Sequence, residues 1–249
     1  MEKKIKKWLV PLFSNFAIIL MLAMLSVLTF TNQSKTVFVN ETEGLYYNGN
    51  ENNPNVSLMI NVYWGNEYLE EMLDTLKEYD IKTTFFVGGS WVAKYPELFM
   101  RIYNDGHEIG NHGFNHKDHD KLNYTQNQTE ILANHKIVKE YTDKDMKLFA
   151  PPSGAFSSTT LQVANELGYD TIMWSKDTID WRDQDKDLIF KRATTKIKNG
   201  DLILMHPTRC TSLALKDIIT SLQTQGFKIV TVSKNIYTDI DWFFLYKLL

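Results

Sequence analysis

Three of the chain's six histidines fall in one short stretch, Gly106-His107-Glu108-Ile109-Gly110-Asn111-His112-Gly113-Phe114-Asn115-His116. His112 and His116 stand four apart, a spacing that lets two imidazoles close on one divalent metal ion, zinc being the first candidate. The glycines around them suit a strand end turning into a loop. The chain's one cysteine, Cys210, excludes an internal disulfide and a thiolate zinc cage, so nitrogen and oxygen donors must complete any site. His206 follows the apolar run 202–205, and Asp177 and Asp180 are the carboxylates available to hold its tautomer. So held, an imidazole can act as general acid toward a leaving amine. Trp64, Trp91 and Trp181 offer flat apolar faces to sugar rings. Pro151-Pro152-Ser153-Gly154 makes a stiff loop whose backbone amides could face a developing oxyanion.

The elements that must position these groups alternate along the chain. Short apolar runs predict strands at 58–62, 83–87, 107–110, 147–149, 171–174, 202–205 and 228–232. Amphipathic patterns between them predict helices at 67–79, 96–104, 126–141, 158–167, 188–198 and 212–225, with Gly106, Gly168, Gly200 and Gly226 placed to end helices. Seven strands separated by helices define an α/β domain with a parallel sheet, open or closed into a barrel. Reacting groups in such folds collect at the carboxyl ends of strands. Those ends carry Tyr63-Trp64-Gly65, Gly88-Gly89, Asn111-His112, the Ala150 to Gly154 loop, the Asp177 to Trp181 loop and His206-Pro207-Thr208.

At 249 residues, 43% hydrophobic and 23% charged, the chain supports one globular domain and is not a disordered protein. Net charge is −3 with basic residues scattered beyond one N-terminal cluster, which excludes a nucleic-acid footprint. That cluster, in a basic cytoplasmic tail at 1–7, precedes 23 uncharged residues at 8–30. Such a run can span a bilayer as one N-terminal transmembrane helix, an uncleaved signal anchor. A cleaved signal peptide competes less well, because no small-residue cleavage site follows. The Asn-, Thr- and Glu-rich stretch 31–55 reads as a flexible linker, 56–238 as the exported domain, and 239–249 as an apolar tail that docks on it. The expected location is the cell membrane, single-pass, with the domain outside the cytoplasm. No protein partner is implied.

From about Val56 to Val232 the chain resembles the polysaccharide deacetylases with a NodB-homology domain, carbohydrate esterase family four. The resemblance rests on Lys82-Thr83-Thr84-Phe85-Phe86-Val87-Gly88-Gly89, on Gly106 to His112 with His116, on Pro151-Pro152-Ser153-Gly154, on Asp177-Thr178-Ile179-Asp180-Trp181 and on Leu202-Ile203-Leu204-Met205-His206. It implies a distorted seven-stranded (β/α) barrel that hydrolyses acetyl groups, typically at a carbon–nitrogen bond, on a cell-wall or exopolysaccharide glycan such as peptidoglycan or chitin. By the same resemblance His112 and His116 bind metal, Asp180 orients His206 as acid, Trp181 lines the glycan groove, and the Ser153 amide serves the oxyanion, while Trp64 and Pro152 are further candidate substrate contacts. The family's usual Thr-Phe-Asp-Asp-Gly, which carries base and third metal ligand, is here Asn61-Val62-Tyr63-Trp64-Gly65, and its supporting arginine is Ala150. This first motif is similar in style to the sporulation-associated branch. Glu67 or Asp177 would have to stand in as third ligand. Two functions follow as expectations: a membrane-anchored deacetylase-like hydrolase of reduced or altered competence, or a non-catalytic glycan-binding envelope module on the same fold.

Overall fold

The structure is a computed structural model, described at residues 20, 21, 24 and 44–237, and the chain divides into units 1–40 and 41–249. In the first unit the three described residues are helical. The expected span at 8–30 lies almost wholly outside the described residues, as does the tail at 239–249. Among the described residues no helix is long and apolar enough to cross a membrane.

The second unit is built around β2 (Asn55–Val62), a strand whose residues are almost all buried because both faces are covered. Its alternate residues serve two cores. Val56, Leu58, Ile60 and Val62 join the large cluster with the helices, whereas Met59 joins Phe86, Ile172 and Leu202 in a smaller one. The other strands are β1 (Leu45–Tyr46), β3 (Thr84–Val87), β4 (Glu108–Asn111), β5 (Leu148–Phe149), β6 (Asp170–Ile172), β7 (Lys176–Asp177), β8 (Leu202–Met205) and β9 (Lys228–Ile229). All pair in parallel, in the order β1-β6-β5-β4-β3-β2-β8-β7, with β9 added at the start of β2. Around this curled sheet lie α1 (Asn66–Glu78), α2 (Gly89–Lys94), α3 (Pro96–Asn104), α4 (Tyr124–Thr142), α5 (Ser158–Glu166), α6 (Lys186–Thr194), α7 (Arg209–Thr224) and α8 (Val232–Ile236). Capping boxes at Asn123/Gln126 and Ser157/Thr160 start α4 and α5.

Three expectations are corrected. Among the described residues the sheet has nine strands rather than seven, because β1 and β7 are two residues each and too short to show any period. The flexible linker 31–55 is fixed from Gly44 onward. Thr171 and Met173 donate their amides to the Gly44 and Tyr46 carbonyls at 2.6 and 2.7 Å, Asn48 bridges Asp201, and Gly49 donates to the Gly200 carbonyl at 2.7 Å. Residues 44–50 thus cross from β6 to the start of β8 and stitch the sheet's two flanks together, so the barrel is held by this strap rather than by a continuous ladder. The helix expected over 188–198 ends at Thr194, where Thr195 turns extended and Lys196 takes φ 55°. Two successive β-branched threonines disfavour its continuation.

Candidate glycan-binding site

The carboxyl ends of β2, β4, β5, β7 and β8 converge on one mouth. Gly65, at φ 83°, turns β2 into α1, and a Cβ there would lie 2.0 Å from the Pro207 carbonyl oxygen. That close approach brings Trp64 beside His206 and leaves Tyr63 beside His116. One edge of the Tyr63 ring in turn packs against Gly88, where a Cβ would come within 2.3 Å of it.

The histidine pair sits on a loop fixed from below. Buried Asn111, the last residue of β4, accepts from the Gly113 amide at 2.9 Å and from Asn134 Nδ2 at 2.8 Å, and donates to the Ile131 carbonyl and the Tyr169 hydroxyl. Glu130 of α4 accepts from the amides of Phe114 and Asn115 at 3.0 and 2.7 Å and pairs with Lys117 at 3.0 Å. Burial raises the Glu130 carboxyl, but the Asn115 donors and Lys117 outweigh it and leave it below its ordinary value. His112 donates through Nδ1 to the Ala150 carbonyl at 2.7 Å, the tautomer that accounts for this contact, which leaves Nε2 as the lone-pair nitrogen. Burial and then the neighbouring His116 hold His112 well below the usual imidazole range, and burial likewise lowers His116. The two rings meet edge to face at 5.0 Å, and His116 takes φ 54° to reach that place.

The acid end of the site is equally organised. Asp180, 0% exposed, accepts from His206 Nδ1 at 2.8 Å, from the His206 amide at 2.6 Å and from the Thr211 hydroxyl at 2.6 Å. Three donors fix both carboxylate oxygens, so the imidazole plane is set and Nε2 is left to face a ligand. Trp64 stacks on that imidazole at 5.7 Å with planes 6° apart. The Tyr63 hydroxyl is paired with Ser90 Oγ at 2.7 Å, and its ring packs on His116 at 4.9 Å.

A cavity of about 490 Å³ gathers His112, His116, Ser153, Trp64, Trp181 and His206, together with Asp177. Asp180 lies behind His206, and Pro152 is buried in its turn outside the lining, so it stiffens Ser153, at φ 57°, rather than facing the cavity. Trp181 is 55% exposed and Trp64 43%, leaving indole surface free on both. The structure adds Asn61, Trp174 and Leu204 to the lining and Thr211 to the Asp180 cradle. Asn61 is buried, and its Oδ1 makes no hydrogen bond. Its position is legible from the period of β2, since residues 57, 59 and 61 share the inner face.

The donor set does not fit a catalytic metal ion. Such a site uses three protein ligands, commonly with a carboxylate among them. Among the described residues no three His, Cys, Asp or Glu side chains come together so as to hold an ion. The expected stand-ins fail for separate reasons. Glu67 lines a different cavity, and Asp177, although it lines this one, does not gather with the two imidazoles into a group that could hold an ion. At the end of β2, where a carboxylate would face the two imidazoles, the side chains are a phenol tied to Ser90 and an indole stacked on His206. Neither coordinates as a carboxylate does, and a phenol is a poor proton acceptor at neutral pH. What remains can bind, orient and donate hydrogen bonds.

Fold and site together define a barrel of the glycan-deacetylase class. The chain belongs to the polysaccharide deacetylase family, whose profile matches residues 48–172. It is 32% identical over 192 residues to the peptidoglycan-N-acetylmuramic acid deacetylase PdaA of Bacillus subtilis, covering 75% of this chain and 73% of that protein. It is 40% identical over 188 residues to YlxY of Bacillus subtilis, covering 76% of this chain but only 59% of that protein. Among solved structures it is similar to a family-four pseudoenzyme from Bacillus anthracis, with TM-score 0.75 and 36% identity over 77% of this chain and 68% of that one. A mutant of that pseudoenzyme with restored enzymatic activity matches at TM-score 0.75 and 34% identity, over 77% of this chain and 70% of that one.

Proposed function

We propose that this chain is a catalytically silent deacetylase-family protein that binds an N-acetylated glycan of the cell envelope and does not hydrolyse it. The observation that carries this reading is the end of β2, where Tyr63 and Trp64 are engaged with Ser90 and His206, and where among the described residues no carboxylate joins the two imidazoles in a group that could hold an ion. The end of β2 therefore supplies neither a third metal ligand nor a base for water, and Asp177, the carboxylate that does line the cavity, commits one oxygen to the Ile179 amide. Groups suited to binding line the cavity: exposed indoles of Trp181 and Trp64 for sugar faces, His206 oriented by Asp180 so that Nε2 faces the cavity, and Asn61, whose Oδ1 makes no hydrogen bond. Two relatives support the substrate class, since the Bacillus cereus peptidoglycan-N-acetylglucosamine deacetylase is 33% identical over 173 residues and PdaA 32% identical over 192. The pseudoenzyme neighbour supports a silent site. The lysines ahead of the uncharged run 8–30 support a single-pass anchor with the domain outside the cytoplasm.

Calorimetric titration of the purified full chain with acetylated chito-oligosaccharides and peptidoglycan fragments tests this reading, with acetate measured in the same samples. Binding without acetate release is expected, and Trp181→Ala should weaken it about tenfold, the loss of roughly one stacking contact. Acetate release that disappears in His112→Ala would overturn the proposal.

A further inference from the structure

The amino ends of β4, β5 and β6, opposite the mouth lined by His112 and His206, frame a separate cavity of about 590 Å³ bordered by the ends of α3 and α4 and by α8. Its wall includes Tyr103, Ile109 and Tyr237, each left half-buried. For Ile109 that exposure stands out, because Phe85, its partner in register on β3, is 0% exposed. Both phenol hydroxyls are committed, Tyr103 donating to the Thr142 carbonyl at 3.2 Å and Tyr237 to Asp170, so the rings are held in place and offer their apolar surface. The described chain ends at this cavity. Ser233 donates its amide to Glu108 at 3.2 Å and its hydroxyl to the same carboxylate, which pins α8 to β4, and Tyr237 is both a wall of the cavity and the last described residue. The segment that follows reads Asp239-Ile240-Asp241-Trp242-Phe243-Phe244-Leu245. Trp242, five residues on, stays within about 18 Å of Tyr237 even when fully extended. The rim matches its charge: Asp145 is taken up by Lys139 and His135 at 2.7 and 2.9 Å, whereas exposed Lys144 and Lys147 enter no ion pair among the described residues.

We propose that this cavity is the docking site of the chain's own segment 238–249, with the aromatic run 242–245 against Tyr103, Ile109 and Tyr237 and with Asp239 and Asp241 toward Lys144 and Lys147. The tether decides the occupant. A run of four large apolar residues held next to an apolar cavity meets it at an effective concentration that a free partner does not reach. Covering Ile109 and the aromatic walls removes apolar surface from water on both sides of the contact. The aspartates and lysines, weak as exposed pairs, set the register of the segment rather than its affinity. The inference stands apart from the glycan-binding reading, since it concerns the other end of the strands.

The test is acrylamide quenching of Trp242 in the full chain, read as the difference between each protein and its own Trp242→Phe counterpart, without lipid and over a dilution series. Wild-type Trp242 should be shielded from the quencher at every dilution. Lys144→Glu/Lys147→Glu and Asp239→Lys/Asp241→Lys should each raise its quenching severalfold, and the quadruple variant that combines them should restore the shielding. Trp242→Ala should lower the unfolding midpoint by about 5 °C, as loss of a buried aromatic side chain does in a domain of this size. Far-ultraviolet circular dichroism matching wild type establishes that the variants are folded. A wild-type Trp242 open to the quencher overturns the proposal, and so does shielding that both charge reversals leave untouched. Shielding lost on dilution identifies a second copy of the chain as the occupant, and shielding gained only with phosphatidylcholine vesicles identifies a membrane surface; either result overturns docking within the chain.

Discussion

At the scale of single residues, the site is half preserved chemistry and half substitution. Asp180 orients His206 while both its carboxylate oxygens accept hydrogen bonds, whereas the two positions after β2 are aromatic. Asp180→Asn removes a buried charge on which three donors converge, so it should destabilise the fold by about 2–4 kcal/mol. Denaturant unfolding measures that loss, and glycan affinity should fall with it because His206 is no longer oriented. The sequence showed which residues these are and, through the family resemblance, that Asp180 would meet His206, but not what the substituted positions would touch. That Trp64 would stack on His206, and that Asn61 would end without a partner for its Oδ1, depends on the approach of two strand ends, which no local period encodes.

Among the elements, the β2–α1 turn couples the two halves of the site. Gly65→Ala would force a side chain to φ 83° and into the Pro207 carbonyl, and should cost more than about 1 kcal/mol. A lowered unfolding midpoint together with weakened glycan binding is the expected outcome, since Trp64 would be displaced from His206. The long apolar strands and amphipathic helices were legible because their period survives over many residues, as in Asn55–Val62 and Arg209–Thr224. The two-residue strands β1 and β7 and the short helices α2 and α8 were not, because tertiary pairing rather than local pattern forms them. The polar composition around β1 resembled a tether for the same reason: its strength lies in backbone bonds to β6 and to residues flanking β8, which composition does not report.

Over the whole molecule, four of the chain's six histidines, His107, His112, His116 and His119, are held below the usual imidazole range, burial being the largest cause for each. His107 is lowered to about 4, by burial and then by Lys82. In the unfolded chain an imidazole titrates near 6.5, so between about 6.5 and 4 protons bind the unfolded state preferentially. Stability should therefore be full above about pH 6.5 and decline as pH falls toward 4, with His107 alone accounting for at most about 3 kcal/mol. Chemical denaturation between pH 7.5 and 4.5 measures the slope, and His107→Phe should flatten it.

Silence of the site is most directly tested by acetate release from hexa-N-acetylchitohexaose with zinc supplied, comparing wild type with Tyr63→Asp/Trp64→Asp. That double substitution returns carboxylates to the end of β2, facing His112 and His116. Wild type should release no acetate above a His112→Ala background, and the double variant should exceed that background. Zinc-dependent acetate release by wild type, abolished in His112→Ala, would contradict the account.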